Sequence, residues 1–263
     1  MKPEILITGS HGFIGTHLRK ELGNEYSIDC WDTKHGKDIF DGAFEVSVAK
    51  ADIVYHLAAK TSVESSFSNP EEVFITNVLG TARIAYLCAK YKKKLIYPSS
   101  GAIHHKELSP YANTKALGEE IVRGIMNTTP VVVLRFFNVF GPGMSKESGS
   151  IMYNFLHDAE LTIYGDGEQK RDFIHVTDIA RVMKAAIQKK WDGKVVEVGT
   201  GQSYTINYIV GLFAYFRGKD IFYRPPKREI KWSIADTQVL KSLYKRKLMT
   251  NLEKNIKELC ETN

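Results

Sequence analysis

The run Ile5–Gly15, ILITGSHGFIG, constrains this chain more than any other stretch: an apolar strand breaks into glycines and a helix begins at Phe13. Gly9, Gly12 and Gly15 lack a Cβ, so the chain can turn tightly at the strand end, admit a pyrophosphate to the backbone and pack the new helix on the sheet. The helix start at Phe13, Ile14 and Gly15 offers free N–H groups and a positive dipole end to phosphate. A second strand, Tyr26 to Asp32, ends in an acid about twenty residues past the loop, where a dinucleotide fold places a carboxylate on the adenosine ribose hydroxyls. Strand, glycine loop, helix, strand and acid in that order predict a dinucleotide site. Asp32 is preferred to Asp29 because it stands at the strand's carboxyl end. Lys34, His35 and Lys37 follow closely and offer a grip for a ribose phosphate instead, so both nicotinamide dinucleotides stay open, with NAD favoured.

Apolar strand candidates recur at Ile5–Thr8, Ser27–Asp32, Ile53–Leu57, Leu95–Pro98, Val131–Phe136 and Val195–Val198, with helical stretches such as Pro70–Tyr91 and Ala112–Met126 between them. Such alternation predicts an α/β protein with a doubly wound parallel sheet covered on both faces. At 263 residues, 43% hydrophobic and 25% charged, the chain suffices for a main domain with a smaller lobe. The expected division assigns residues 1–140 and 171–200 to the dinucleotide domain, and 141–170 and 201–263 mainly to a substrate lobe.

Composition also excludes some classes. The formal charge of +6 resides largely in Lys90–Lys94 and the tail from Lys241 to Lys257, which read as solvated faces. No nucleic-acid module accompanies it, so no nucleic-acid partner is expected. Cys30, Cys88 and Cys260 show neither paired nor metal-type spacing, which points to a reducing compartment and no metal. No apolar run approaches the ~20 residues that span a bilayer, and no cleavable apolar segment precedes the loop. The expectation is a cytoplasmic protein without a membrane partner.

In Tyr55–Thr61, YHLAAKT, the strand closes on Leu57 and then Ala58 and Ala59, alanines small enough for a cofactor to lie against the backbone at the sheet's carboxyl edge. Asp38 and Ile39 lie in the short segment joining the second and third strands, and Ile39 reads equally well as an adenine wall or a core residue. His56 reads as a packed core histidine, and Asn77, Gly80 and Thr81 as helix packing.

The chemistry is expected in Pro98–Lys115, PSSGAIHHKELSPYANTK: a strand end with Ser99 and Ser100, a short loop, then Tyr111 and Lys115 at helical spacing. Residues four apart share one helix face, so the ammonium can favour the ionised phenol. A phenol of ordinary pKa, ~10, is a poor base near neutrality without such help. Further on, Asn138 precedes the break Gly141-Pro142-Gly143, where the chain can leave the sheet. Arg171 follows a Gly-Asp-Gly turn as a fork-shaped cation suited to phosphate, or to an ion pair with Asp172.

These segments together, with RFFNVFGP at Arg135–Pro142, YGDGEQKRDFIHV at Tyr164–Val176 and VGTG at Val198–Gly201, resemble the extended short-chain dehydrogenase/reductase family, in particular its nucleotide-sugar epimerase and dehydratase branch. The resemblance implies Ser100, Tyr111 and Lys115 as the catalytic triad, with Lys115 also holding the nicotinamide ribose. It implies Arg171 on the nucleotide diphosphate and Asn138 on the substrate. Gly101 and Ala102 stand where the family's dehydratases carry an acidic pair and its sugar-acid decarboxylases a glutamate, which speaks against both reactions. The loop from Ser100 to Tyr111 is shorter than the family's, His104-His105 replaces its Tyr-Gly, and PPKRE at Pro225–Glu229 matches loosely a phosphate-binding segment, with Arg228 or Lys227 as the substitute cation.

The expected activity is NAD-dependent epimerisation at C4 of a UDP-, GDP- or dTDP-linked sugar, carried out by a homodimer. The alternatives are an NADPH-dependent reductase of a nucleotide-linked 4-keto sugar, or a non-catalytic dinucleotide-binding module.

Overall fold

The computed structural model describes residues 2–227 and 230–262. Six parallel strands build the main sheet: β1 (Glu4–Thr8), β2 (Ser27–Trp31), β3 (Ile53–His56), β4 (Lys94–Ser100), β5 (Val131–Phe136) and, later in the chain, β10 (Lys194–Val198). Their order is β10-β5-β4-β3-β1-β2, so the order reverses between β1 and β3, the crevice at which doubly wound folds bind ligands. The alternation read from the sequence is thus the sheet observed, a Rossmann-like α/β fold.

Strand periodicity builds two cores. Ile5, Ile7, Tyr55 and Val132 point to one face, under α1 (Phe13–Leu22) and α8 (Val176–Ala185), whereas Leu6, Val54, Tyr97 and Val133 point to the other. On that second face lie α2 (Gly42–Lys50), α5 (Gly80–Tyr91) and α6 (Pro110–Gly124), with α3 (Val63–Ser68) and α4 (Pro70–Phe74) packed on α6. Leu240 of α10 (Gln238–Leu243) and Tyr244 join the first core, so part of the tail packs on the dinucleotide domain.

A third core forms the lobe, with Phe140, Met152, Phe155, Phe173, Phe213 and Ile256 at its centre. It is built from β6 (Val139–Phe140), α7 (Ile151–His157), β7 (Leu161–Tyr164), β8 (Lys170–Arg171), β9 (Ile174–His175), β11 (Tyr204–Thr205), α9 (Ile206–Arg217), β12 (Ile221–Arg224), β13 (Trp232–Ser233) and α11 (Leu252–Thr262). β8 lies between β11 and β13, β12 pairs with β7, and β6 with β9.

Two helices differ from the sequence expectation. The span Pro70–Tyr91 is broken by a π-turn over Ile75–Leu79, centred on Asn77, whose side chain bonds outside its own helix. The helix expected from Ala112 begins at Pro110, where Ser109 caps it by accepting the Ala112 N–H and proline fits the first turn. Among the described residues no helix is long and apolar enough to cross a membrane, and no group of three or more potential metal-ligating side chains is found.

Candidate active site

The glycine loop has the geometry a pyrophosphate needs. Gly9 has φ 66°, and a Cβ there would stand 2.7 Å from the Ala58 N; one on Gly15 would stand 2.3 Å from the Gly9 carbonyl oxygen. Any side chain at either position would force β1, the β3 end and α1 apart. No side chain caps α1 at Gly12, so its first amides face the cradle. Leu57 N donates to the Thr8 carbonyl and Ala58 N to Thr8 Oγ1, which fixes the Leu57–Ala59 segment beside Gly9.

Asp32 sits across the loop with its carboxylate oriented by two backbone donors, His11 N at 2.9 Å and Lys34 N at 3.0 Å. Of the cations that offered a ribose-phosphate grip, Lys37 is drawn to Asp29 at 3.2 Å and lies over the Trp31 ring, and the His35 ring lies against His11. Lys34, the third of these cations, keeps its backbone N–H on the Asp32 carboxylate. Asp38 accepts the Phe40 N–H in the turn before α2, and Ile39 is 7% exposed and packed against Gly80, the core alternative of its two readings.

Ser100 ends β4 and accepts the Ala102 N–H; Tyr111 rises opposite from the first turn of α6, half-buried. Burial pushes the Tyr111 phenol above its ordinary pKa, and the Ser100 hydroxyl, within hydrogen-bonding reach, pulls it part of the way back. Lys115, one turn further along α6, is buried. Its Nζ donates to the Pro98 carbonyl at 2.6 Å and lies 4.4 Å from the Tyr97 ring centre, because a buried ammonium must take an acceptor. Burial lowers its pKa to about 7, with the Glu119 carboxylate opposing.

Behind these groups runs a hydrogen-bonded chain that the sequence reading missed. Asn77 Nδ2 donates to the Lys60 carbonyl and to Thr114 Oγ1, and its Oδ1 accepts the Lys60 N–H. Thr81, His56 and Thr8 continue the chain to Ala58. His56 is buried and held neutral, its pKa pushed down to about 3 by burial. The π-turn thus pins the strand end that lines the cofactor cleft to the helix carrying Tyr111. An asparagine in an apolar helix was the one available signal.

At the lobe, Asn138 Nδ2 donates to the Asp172 carbonyl at 2.8 Å, tying the exit of β5 to β8. The buried Asp172 carboxylate takes Thr200 N, Thr200 Oγ1, Gly201 N and Ala235 N, so it serves the VGTG loop and β13 instead of pairing with Arg171. Arg171 Nη1 donates to the Lys170 carbonyl. Lys227 lies over the Tyr164 ring, and Arg228 falls outside the described residues.

The switch-point crevice, glycine cradle and oriented Asp32 define a dinucleotide-binding protein of the Rossmann type. The pattern of the NAD dependent epimerase/dehydratase family matches residues 5–199, and the chain belongs to that family. A UDP-glucose 4-epimerase of Pisum sativum is 29% identical, over 83% of this chain and 82% of its own length. Among solved structures, a UDP-N-acetylglucosamine 4-epimerase from Methanobrevibacter ruminantium superposes with a TM-score of 0.88 at 26% identity, covering 99% of this chain and 98% of its own. A UDP-glucuronic acid 4-epimerase mutant from Bacillus cereus, solved with NAD and a fluorinated UDP-glucuronic acid, gives 0.86 at 26% identity with 98% of each chain covered. The protein is accordingly an enzyme of an NAD-dependent family.

Proposed function

We propose that this enzyme interconverts nucleotide-diphosphate sugars epimeric at C4, with Ser100, Tyr111 and Lys115 as its catalytic groups. The placement of Ser100 at the end of β4 and of Tyr111 in the first turn of α6, beside a dinucleotide cradle, carries this reading. Gly9, Gly12, the α1 amides of Phe13, Ile14 and Gly15, Asp32 and Leu57–Ala59 hold NAD, with Asp38 bordering the adenine end. Bound there, NAD supplies a reversible hydride acceptor for C4. Tyr111 as phenolate takes the C4 hydroxyl proton, and Ser100 orients that hydroxyl. Lys115 supplies positive charge to the phenolate and a donor to the nicotinamide ribose. The 4-keto sugar stays in the cleft and turns over, so that hydride would return to the other face of C4 while Tyr111 gives the proton back to the C4 oxygen.

The sugar's nucleotide is UDP-, GDP- or dTDP-linked, and UDP is tested first because the relatives named above use it. With catalytic NAD alone, tritium at C4 is expected to remain on sugar through complete interconversion of the epimers. Stoichiometric oxidation of NADPH by a 4-keto sugar, without epimer exchange, sinks the proposal in favour of a reductase.

Arg171 and Asn138 face the substrate in this reading, with Lys227 or Arg228 as a second cation for the diphosphate. Arg171→Ala is expected to raise KM by one to two orders of magnitude, since a charge-assisted contact to phosphate contributes ~1.5–3 kcal/mol. NAD affinity should not move. A fall in kcat at unchanged KM would place the arginine in the chemical step.

The assembly we propose is a homodimer through the outer side of the π-turn, α5 and α6. Ile75, Leu79 and Tyr86, at turn spacing, are 40%, 47% and 63% exposed, and Leu117 of the adjoining helix is 37% exposed. Leu79→Glu with Tyr86→Glu is expected to give a monomer by light scattering, and a monomeric wild type rejects the surface. The three free thiols fit a reducing compartment, and fractionation of tagged protein tests our placement in the cytoplasm.

A further inference from the structure

A row of charge crosses the apolar face of the sheet directly below the catalytic serine. Ser99, Arg135 and Glu197 lie abreast on β4, β5 and β10, in register, one residue before Ser100. The same face is otherwise Leu95, Tyr97, Val131, Val133 and Val195. Glu119 reaches the row from α6, one helical turn beyond Lys115. It is 2% exposed and accepts Ser99 Oγ at 2.8 Å, Arg135 Nε at 3.1 Å and Arg135 Nη2 at 2.7 Å. Burial pushes the Glu119 carboxyl up, but its bonds to Arg135 and Ser99 bring it below the usual carboxylate range.

Packing alone does not explain such a row, because buried charges are costly where aliphatic side chains would fit. Its outer end suggests what it does. Glu197 Oε1 takes Arg135 Nη1 at 3.4 Å and His104 Nε2 at 2.6 Å, while Oε2 accepts the Asp236 N–H at 2.8 Å. Two carboxylates face the Arg135 guanidinium; Arg123 Nη1 stands 3.9 Å from Glu119 on the outer side, and the imidazole gives Glu197 its further donor. His104 belongs to the 3-10 stretch Gly101–Leu108, which forms the short rim between Ser100 and α6 and is kinked at His105. Among the described residues, the His104 contact is the one side-chain hydrogen bond from this stretch to another element. Asp236 follows β13, the neighbour of the strand that carries Arg171.

We propose that the His104–Glu197 contact is a latch that holds the shortened rim over the catalytic groups. Glu197 is the positioning residue that ties the rim to α6, through Arg135 and Glu119, and to the substrate lobe, through Asp236. The latch deepens the epimerase reading, and its effect on kcat rests on that reading; closure of the rim does not.

The test compares hydrogen exchange and steady-state kinetics in wild type, His104→Ala, His104→Gln and Glu197→Gln, all with NAD bound. In His104→Ala the amides of residues 101–108 are expected to exchange at least tenfold faster, with those of α6 and the melting temperature unchanged. Its kcat should fall at least tenfold, with KM and NAD affinity within twofold. His104→Gln, which can still donate to Glu197, should restore slow exchange and most of the turnover. Glu197→Gln keeps the shape of the side chain and should loosen the rim, and adding His104→Ala to it should cost nothing more. Unchanged rim exchange, faster exchange at full kcat, no rescue by glutamine, or a loss of turnover that tracks a fall in melting temperature each overturns the latch. If the wild type turns over no nucleotide sugar, the function falls, and rim exchange still decides whether the contact closes the loop.

Discussion

Replacing Tyr111 by phenylalanine is expected to lower kcat by about 10³-fold while NAD affinity and melting temperature stay near those of the wild type. The substitution removes one oxygen from a half-buried ring and leaves the packing of α6 intact. What it deletes is the atom that the Ser100 hydroxyl approaches. Burial holds the phenol's pKa up, so little phenolate exists in the resting protein at neutral pH. The base therefore depends on stabilisation of its charged form. Because the pKa is raised, kcat should climb as pH rises towards it in the wild type. Steady-state rates across pH check both points: residual turnover above about a tenth of wild type would place the proton transfer on another group. Ser100→Ala should lie between the two proteins, since it removes the donor and leaves the base.

The parts of this structure legible in the sequence are those fixed by local rules. The glycine loop reads directly because Gly9 and Gly15 occupy positions where a Cβ would meet backbone. The six strands read because sheet burial on both faces demands continuous apolar runs. Tyr111 and Lys115 read because helical spacing places them on one face. Spacing does not reveal an acceptor, however, and the turn of the Lys115 amine to the Pro98 carbonyl depends on how β4 passes under α6. The role of Asn77 was hidden for a similar reason. Its partners Lys60 and Thr114 lie 17 and 37 residues away, and the π-turn that aims its side chain is made by those contacts. The lobe was least legible: its paired strands β6, β8, β9, β11 and β13 are two residues each, too short for any periodicity, and are held by Asp172 and Asn138. Likewise Arg135 and Glu197 read as ordinary strand residues until β5 and β10 set them side by side.

Lys115→Met is expected to abolish turnover and, in the cofactor-free protein, to raise the melting temperature at pH 7. Desolvation drives the lysine from an ordinary value of 10.5 to about 7, with only the Glu119 carboxylate opposing. The unfolded chain therefore holds this proton more tightly than the folded one. Folding loses stability as pH falls from about 10.5 towards 7, and the loss is complete below 7. The gap sets an upper bound of about 5 kcal/mol on the cost at low pH. Methionine fills a similar volume without charge but forfeits the bond to Pro98, so a net gain of about 2 kcal/mol is expected, or ~4–8 °C in a chain of this size. The comparison is calorimetric, across pH 6 to 10. The difference between the two proteins should be largest at the acid end and shrink as pH rises, because the wild type recovers stability when its lysine becomes neutral. A pH-independent difference, or a variant less stable than wild type at pH 6, would show that the amine is not paying a desolvation cost. The same substitution should weaken NAD binding in direct titration, since the side chain that destabilises the empty fold is the one we propose for the nicotinamide ribose. A group retained at such a cost to folding, in a core that methionine fills as well, is explained by the chemistry it serves.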